Sequence, residues 1–154
     1  MKIDELINFL VEANKTGYAA GNSANSIKER DGSTSIFFQK GDWKFHDNYF
    51  GGEPFGGREI IFYKNKPFWI MVYYGQISSS NENIKEVYTF LQKALMISPR
   101  ELPARGPEKF TDNNFKYTNK WVGDINNFNG EEKIFKEGEQ VYSAKYIGGL
   151  VDQI

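Results

Sequence analysis

A chain of 154 residues is long enough for one domain with a sizeable core, and 40% hydrophobic with 25% charged residues is ordinary for a globular protein. Its net charge of −1 argues against an electrostatic grip on nucleic acid or an anionic membrane. Cysteine is absent and histidine occurs once, which excludes disulfides, thiol nucleophiles and Cys-built zinc centres. No metal and no cofactor is expected.

From the start of the chain, "MKIDELINFL" carries acids inside its apolar pattern, unlike a signal peptide. No apolar run approaches the length of a membrane span. A cytoplasmic location is expected. Apolar residues at 3, 6, 7, 10 and 13, with Asp4 and Glu5 in the first turn, predict a helix over about 4–14. Gly17 breaks the pattern, and residues 17–34 read as a long loop. Four strand patterns follow: "SIFFQK", "WKFHDNYF", "REIIFYK" and "PFWIMVYYG", with hairpin turns at 40–42 and 64–66. Apolar positions 84, 87, 90, 91, 94 and 95 predict a second helix over about 82–97. "SPRELPARGPEKF" reads as loop, and "NFKYTNKWV", "EEKIFKE" and "QVYSAKYIGG" as strands. An aromatic fraction of 16% fits this abundance of sheet.

The helix-then-strands order occurs twice, and the residues repeat with it. At an offset of 72, Phe38, Lys44 and Gly51 meet Phe110, Lys116 and Gly123, and Trp43, Phe45 and Tyr49 meet Phe115, Tyr117 and Trp121. At an offset of 73, Phe55, Gly57, Glu59, Ile61 and Phe62 meet Phe128, Gly130, Glu132, Ile134 and Phe135, and Tyr73 and Gly75 meet Tyr146 and Gly148. About two identities would arise over such a stretch from composition alone. The expected fold is α+β: one domain, two helices on a largely antiparallel sheet, with a helix-plus-meander unit duplicated over about 1–76 and 82–149.

"YFGGEPFGG", residues 49–57, has the glycine density of a phosphate loop, but it joins two strands and has no helix behind it to aim N–H groups at an anion. It reads as a wide turn. The counterpart of this turn keeps only Gly123 and Gly130, at strand ends where a positive φ is often needed.

The run from "GDWKFHDNYFGG" through "FWIMVYYG", then "ARGPEKF" and the closing "YIGG", resembles a family of small bacterial domains of unknown function, DUF5680. The resemblance extends from "FLVEA" to "YIGG", and its most specific part is "YFGG" paired with "MVYYG". It implies a stand-alone protein, or a domain fused behind a helix-turn-helix regulator. It implies no activity, and the fusions point only toward sensing. With no helix-turn-helix segment, this chain is expected to be the stand-alone form.

The residues able to do chemistry are few. His46 lies in phase with Lys44 and Asn48, on the solvent side of its strand. Asp47 is in phase with Trp43, Phe45 and Tyr49, so it faces an aromatic surface, where a carboxylate needs a partner or a ligand. Glu59 and Glu132, the acidic pair kept by the repeat, can converge near a pseudo-twofold axis or pair with cations. Trp69, Met71 and Tyr73 alternate with Phe68, Ile70, Val72 and Tyr74, a pattern that predicts a central strand buried on both faces. Arg105 either clamps an anion or bridges to an acid.

No catalytic residue is assigned. A small-molecule-binding or sensing module is expected, with Trp43, Asp47, Tyr49, Glu59, Trp69, Tyr73 and Arg105 lining an aromatic pocket. The alternatives are a small hydrolase or isomerase with Glu59 or Asp47 as base, and a structural or protein-interaction domain. No direct nucleic-acid contact and no membrane are expected.

Overall fold

The computed structural model of the protein describes residues 2–17, 26–78 and 82–154. Along the chain these form α1 (Lys2–Thr16), β1 (Ser26–Lys28), β2 (Thr34–Lys40), β3 (Trp43–Phe50), β4 (Phe55–Tyr63) and β5 (Lys66–Ile77). There follow α2 (Ile84–Met96), β6 (Lys109–Asp112), β7 (Phe115–Asp124), β8 (Asn127–Lys136) and β9 (Glu139–Leu150). The strands make one sheet in the order β1-β2-β3-β4-β5-β9-β8-β7-β6, antiparallel at every pairing. The fold is α+β, as expected, and both predicted helices are present.

Each helix buries one stripe. In α1 the stripe is Leu6, Phe9, Leu10, Ala13 and Asn14; in α2 it is Val87, Phe90, Leu91, Ala94 and Leu95. Asn83 caps α2, its side chain accepting from the Glu86 N–H at 3.1 Å. The two helices share one face of the sheet. Phe9 stacks on Phe38 and Trp43 over the first half, and Phe90 stacks on Phe110 and Phe115 over the second.

The two halves carry the same local devices. A register shift falls between Ile61 and Phe62 in β4, and another between Ile134 and Phe135 in β8. Two-residue hairpin loops follow, with positive φ at Lys64 and Asn65 in one half and at Glu137 and Gly138 in the other. Gly51 and Gly123, after β3 and near the end of β7, both have positive φ, as their placement predicts. Gly57 and Gly130 do not. They are glycine because of crowding: a Cβ on Gly57 would lie 2.6 Å from the Tyr49 Cβ, and one on Gly130 would lie 2.3 Å from the Tyr146 hydroxyl. "YFGGEPFGG" is the turn from β3 to β4, with a cis Glu53–Pro54 bond.

Three expectations need correction. Of the expected 17–34 loop, residues 26–28 form β1, which pairs with β2; residues 18–25 lie outside the described residues. The expected 98–110 loop ends inside β6. Both strands are short sheet edges, with no apolar alternation to announce them. Finally, β5 is central but not buried on both faces. Trp69, Met71 and Tyr73 face the helices and are buried, whereas Val72 and Tyr74 stand exposed on the opposite, uncovered face. A two-layer fold leaves that face open, and the apolar residues along it imitate a doubly buried strand.

Candidate functional site

Asp47 on β3 and Glu59 on β4 are register partners on the helix-covered face, and both are buried. Asn119 on β7 and Glu132 on β8 are register partners in the same way in the second half. Tyr73 and Tyr146 face each other across the β5–β9 pairing. The Tyr73 hydroxyl donates to Asp47 Oδ1 at 2.5 Å, and the Tyr146 hydroxyl donates to Asn119 Oδ1 at 2.6 Å. Polar side chains are thus brought to the middle of the sheet from both halves.

The fourth component comes from the chain between α2 and β6. Leu102 and Ala104 are buried and draw that segment into the core. Its backbone is satisfied by side chains, as a buried loop requires. Asn14 donates to the Pro103 carbonyl at 2.8 Å, Asn119 Nδ2 donates to the Gly106 carbonyl at 2.8 Å, and the Gly106 N–H donates to the Tyr117 hydroxyl at 3.0 Å. Gly106 must be glycine, because a Cβ there would lie 2.7 Å from the Tyr117 ring. This scaffold delivers Arg105, whose Nε donates to Glu132 Oε1 and whose Nη2 donates to Glu132 Oε2 at 3.1 Å. The guanidinium carbon lies 5.6 Å from the centroid of the Tyr73 ring. Tyr142 reaches Glu132 Oε2 at 3.5 Å.

The two halves differ in how their acids are satisfied. Glu132 is in a bidentate ion pair. Asp47 Oδ2 and Glu59 Oε1 meet no hydrogen-bond partner among the described residues. Burial raises the Asp47 carboxyl to about 6, against the Tyr73 hydrogen bond and the Arg105 charge, which pull it down. Burial, and then the neighbouring Asp47 charge, push Glu59 well above the carboxylate range, with Arg105 opposing. Both carboxyls of this buried pair are thus held toward their protonated forms, Glu59 with two causes acting in that direction and Asp47 with one. Burial also raises the Tyr117 and Tyr146 hydroxyls, so both stay protonated, Tyr117 accepting from Gly106 and Tyr146 donating to Asn119.

Of the residues singled out in the sequence, Asp47, Glu59, Tyr73 and Arg105 come together. Tyr49 lies two residues along β3 from Asp47, half-buried against the core. Trp43 and Trp69 are engaged elsewhere. Trp43 packs under α1 against Phe9 and Tyr63, its ring N–H 3.4 Å from Glu5 Oε2. Trp69 stacks on Phe128 and donates to the Ile125 carbonyl at 3.0 Å. Glu132 and Arg105 close on each other, the bridging alternative for Arg105. Tyr117, Tyr142 and Tyr146 complete the cluster without having stood out. The repeat, which sets Tyr146 on Tyr73, is the signal that points to one of them. His46 is half-buried on the open face, stacked on Phe37 at 4.4 Å and 3.0 Å from the Ser35 hydroxyl; burial, then the Arg58 and Lys44 charges, lower its pKa.

Residues 47–151 match the family model described as domain of unknown function, DUF5680. The chain belongs to the DUF5680 family. The matched span begins at Asp47 and contains the whole cluster, while α1, β1, β2 and the first half of β3 precede it. No curated protein and no solved structure matches the chain. Among the described residues of this DUF5680 chain, no group of three or more His, Cys, Asp or Glu is arranged to hold a metal ion, and no helix is long and apolar enough to cross a membrane.

Proposed function

We propose that this DUF5680 chain is a cytoplasmic small-molecule-binding module whose ligand presents a hydrogen-bond-donating, cationic group to Asp47 and Glu59. The observation that carries this reading is the pair of buried carboxyl oxygens on adjacent strands that have no hydrogen-bond partner among the described residues. Leaving a buried carboxyl oxygen unsatisfied costs about 1–3 kcal/mol, and more when the group is charged, and a ligand that supplies the missing donor removes that cost. A ligand amine or amidine would satisfy both oxygens and draw Glu59 into its ionised form. Tyr73 and Tyr49 would supply the ring contact, and the Arg105–Glu132 pair would hold the floor.

A thermal-shift screen of metabolites bearing amine, amidine or guanidine groups tests this, because a ligand that binds only the native state raises Tm. Hits should stabilise the wild type and lose their effect in Asp47→Asn and Glu59→Gln. A screen whose hits stabilise these variants as well as the wild type overturns the reading.

A second reading has one observation in its favour. Asp47 and Glu59 are buried register partners whose carboxyls are both raised by burial, a pairing of the kind that moves protons in isomerases and hydrolases. It requires turnover of a hit, lost in Asp47→Asn while binding persists.

We further infer that the two halves descend from one helix-plus-meander unit. The matched register shifts, the matched positive-φ turns and the twice-used tyrosine bond support this. A tandem of two copies of residues 82–150 is expected to fold into the same sheet, and a tandem without cooperative unfolding would count against common descent.

A further inference from the structure

The open face of the sheet is chemically distinct from the rest of the molecule. Val72 on β5 and Ile147 on β9 are direct register partners there, 48% and 61% exposed. With Tyr74, which is 56% exposed, they line a shallow concavity of about 300 Å³ over the centre of the sheet. Val122, two strands further on through Asn129, extends the apolar row by roughly 10 Å. Val72, Ile147 and Val122 are thus exposed β-branched side chains in one row, interrupted by Asn129, with no helix among the described residues covering them.

The charge on this face is uneven, with its cationic excess on the β7–β9 side. Lys145 and Lys120 lie in the next row, on either side of Glu131. Lys133 and Lys116 occupy the rows beyond; at the other end Arg58 pairs in register with Val72, where Glu29 and Asp31 share its cleft. Glu131 is the acid placed within this group, and Lys133 already approaches it at 3.9 Å. The whole chain has a net charge of −1, so the lysine excess on the β7–β9 side is offset elsewhere on the molecule, in part by Glu29 and Asp31 beside Arg58. The charge on this face is therefore local, and it complements an anionic partner.

We propose that this face docks an acidic protein segment that carries bulky apolar side chains, one of which enters the concavity at Val72, Tyr74 and Ile147 while its acidic neighbours meet Lys145, Lys120 and Lys133. A protein occupant fits better than a nucleic acid, because bases stack on exposed rings whereas Val72 and Ile147 are aliphatic. The ring of Tyr74 is held against the sheet, its Cδ2 3.2 Å from where a Gly56 Cβ would stand.

The test uses the full chain, isotope-labelled for amide shifts, and a fluorescein-labelled peptide of glutamates interrupted by leucines at helical spacing. Its controls are the same peptide with lysine for each glutamate, an all-polar acidic peptide, oligo-dT and phosphatidylserine vesicles. The leucine-bearing acidic peptide is expected to bind saturably, at least about tenfold tighter than any control, with shifts centred on Val72, Tyr74 and Ile147. Raising the salt should weaken it severalfold. Ile147→Ser, and Lys145→Glu with Lys133→Glu, should each weaken it at least about fivefold at unchanged melting temperature. Equal binding of the lysine or all-polar peptide, tighter binding of oligo-dT or vesicles, shifts on the helix face, or no saturable binding would each overturn the proposal.

Discussion

Tyr73 and Tyr146 face one another across the two central strands, and each donates its hydroxyl to the same place in its own half, Asp47 at 2.5 Å and Asn119 at 2.6 Å. The geometry is shared, but the acceptors are not. Asn119 has a second group, the Nδ2 that donates to the Gly106 carbonyl, and so is satisfied. Asp47 has a second oxygen with no partner among the described residues. The exchange of asparagine for aspartate turns a structural bracket into a charged centre.

That difference predicts opposite outcomes for two conservative substitutions. Asp47→Asn keeps the acceptor for Tyr73 and removes a buried charge, so the unliganded protein at pH 7.5 should be as stable as the wild type or more so. Asn119→Asp discards the donor to Gly106 and sets a carboxylate against a carbonyl. It should cost about 1–3 kcal/mol in urea unfolding. Equal losses for the two would show that Asp47 is scaffold in the same sense as Asn119.

The pH dependence has an unusual sign. Asp47 titrates near 3.8 in the ordinary state and at about 6 in the fold. Between those values the native chain holds more protons than the unfolded chain, so this contribution is fully present below about pH 4 and is lost as pH rises through 6. Glu59, shifted in the same direction, extends the loss to higher pH. The urea midpoint of the wild type should therefore fall from pH 5 to pH 8, and Asp47→Asn should remove the part of the fall due to Asp47, about 1.4 kcal/mol for the one pH unit between 5 and 6. A wild type that becomes more stable over this interval would contradict the raised carboxyls.

Removing one partner of the buried ion pair should be costly. Arg105→Met leaves Glu132 charged and buried, and a loss of about 3–5 kcal/mol is expected. The double substitution Arg105→Met with Glu132→Met should recover most of it, because the uncompensated charge is gone. If the double variant is no more stable than the single one, Arg105 holds its loop by packing rather than by charge.

Gly130→Ala probes the crowding beside Tyr146. A Cβ there collides with the hydroxyl that bonds Asn119, and a cost of about 1–3 kcal/mol is expected. Combining it with Tyr146→Phe should recover part of that loss, which denaturant midpoints of the single and double variants would show.

Much of this architecture is legible in the sequence. Helical spacing marks α1 and α2, alternation marks most of the seven strands read from the sequence, and β5 is marked by a continuous apolar run. The phase of Asp47 with Trp43 and Phe45 already turns it into the core. What the sequence leaves open depends on contacts between distant segments. Nothing near Arg105 names Glu132 as its partner, 27 positions on, since the pairing depends on how the segment around Leu102 and Ala104 is swallowed. Trp43 and Trp69 look like ligand rings because their apolar surface is visible in the sequence, whereas what covers and binds them, Phe9 with Glu5 and Phe128 with the Ile125 carbonyl, is not. The exposure of Val72 and Tyr74 is equally hidden, because alternation shows which residues share a face but not whether anything covers it.

The strand order also governs how the protein emerges from the ribosome. β5 pairs with β4 at once, but its other edge, from Trp69 to Ile77, receives its partner only from Tyr142–Leu150 at the far end of the chain. Until those residues are synthesised, the nascent first half presents a long unpaired strand edge rich in aromatic and aliphatic residues, the kind of edge that templates intermolecular pairing. Chains truncated before β9 should therefore accumulate in inclusion bodies or on holdase chaperones, whereas trimming after Leu150 removes no strand from the sheet.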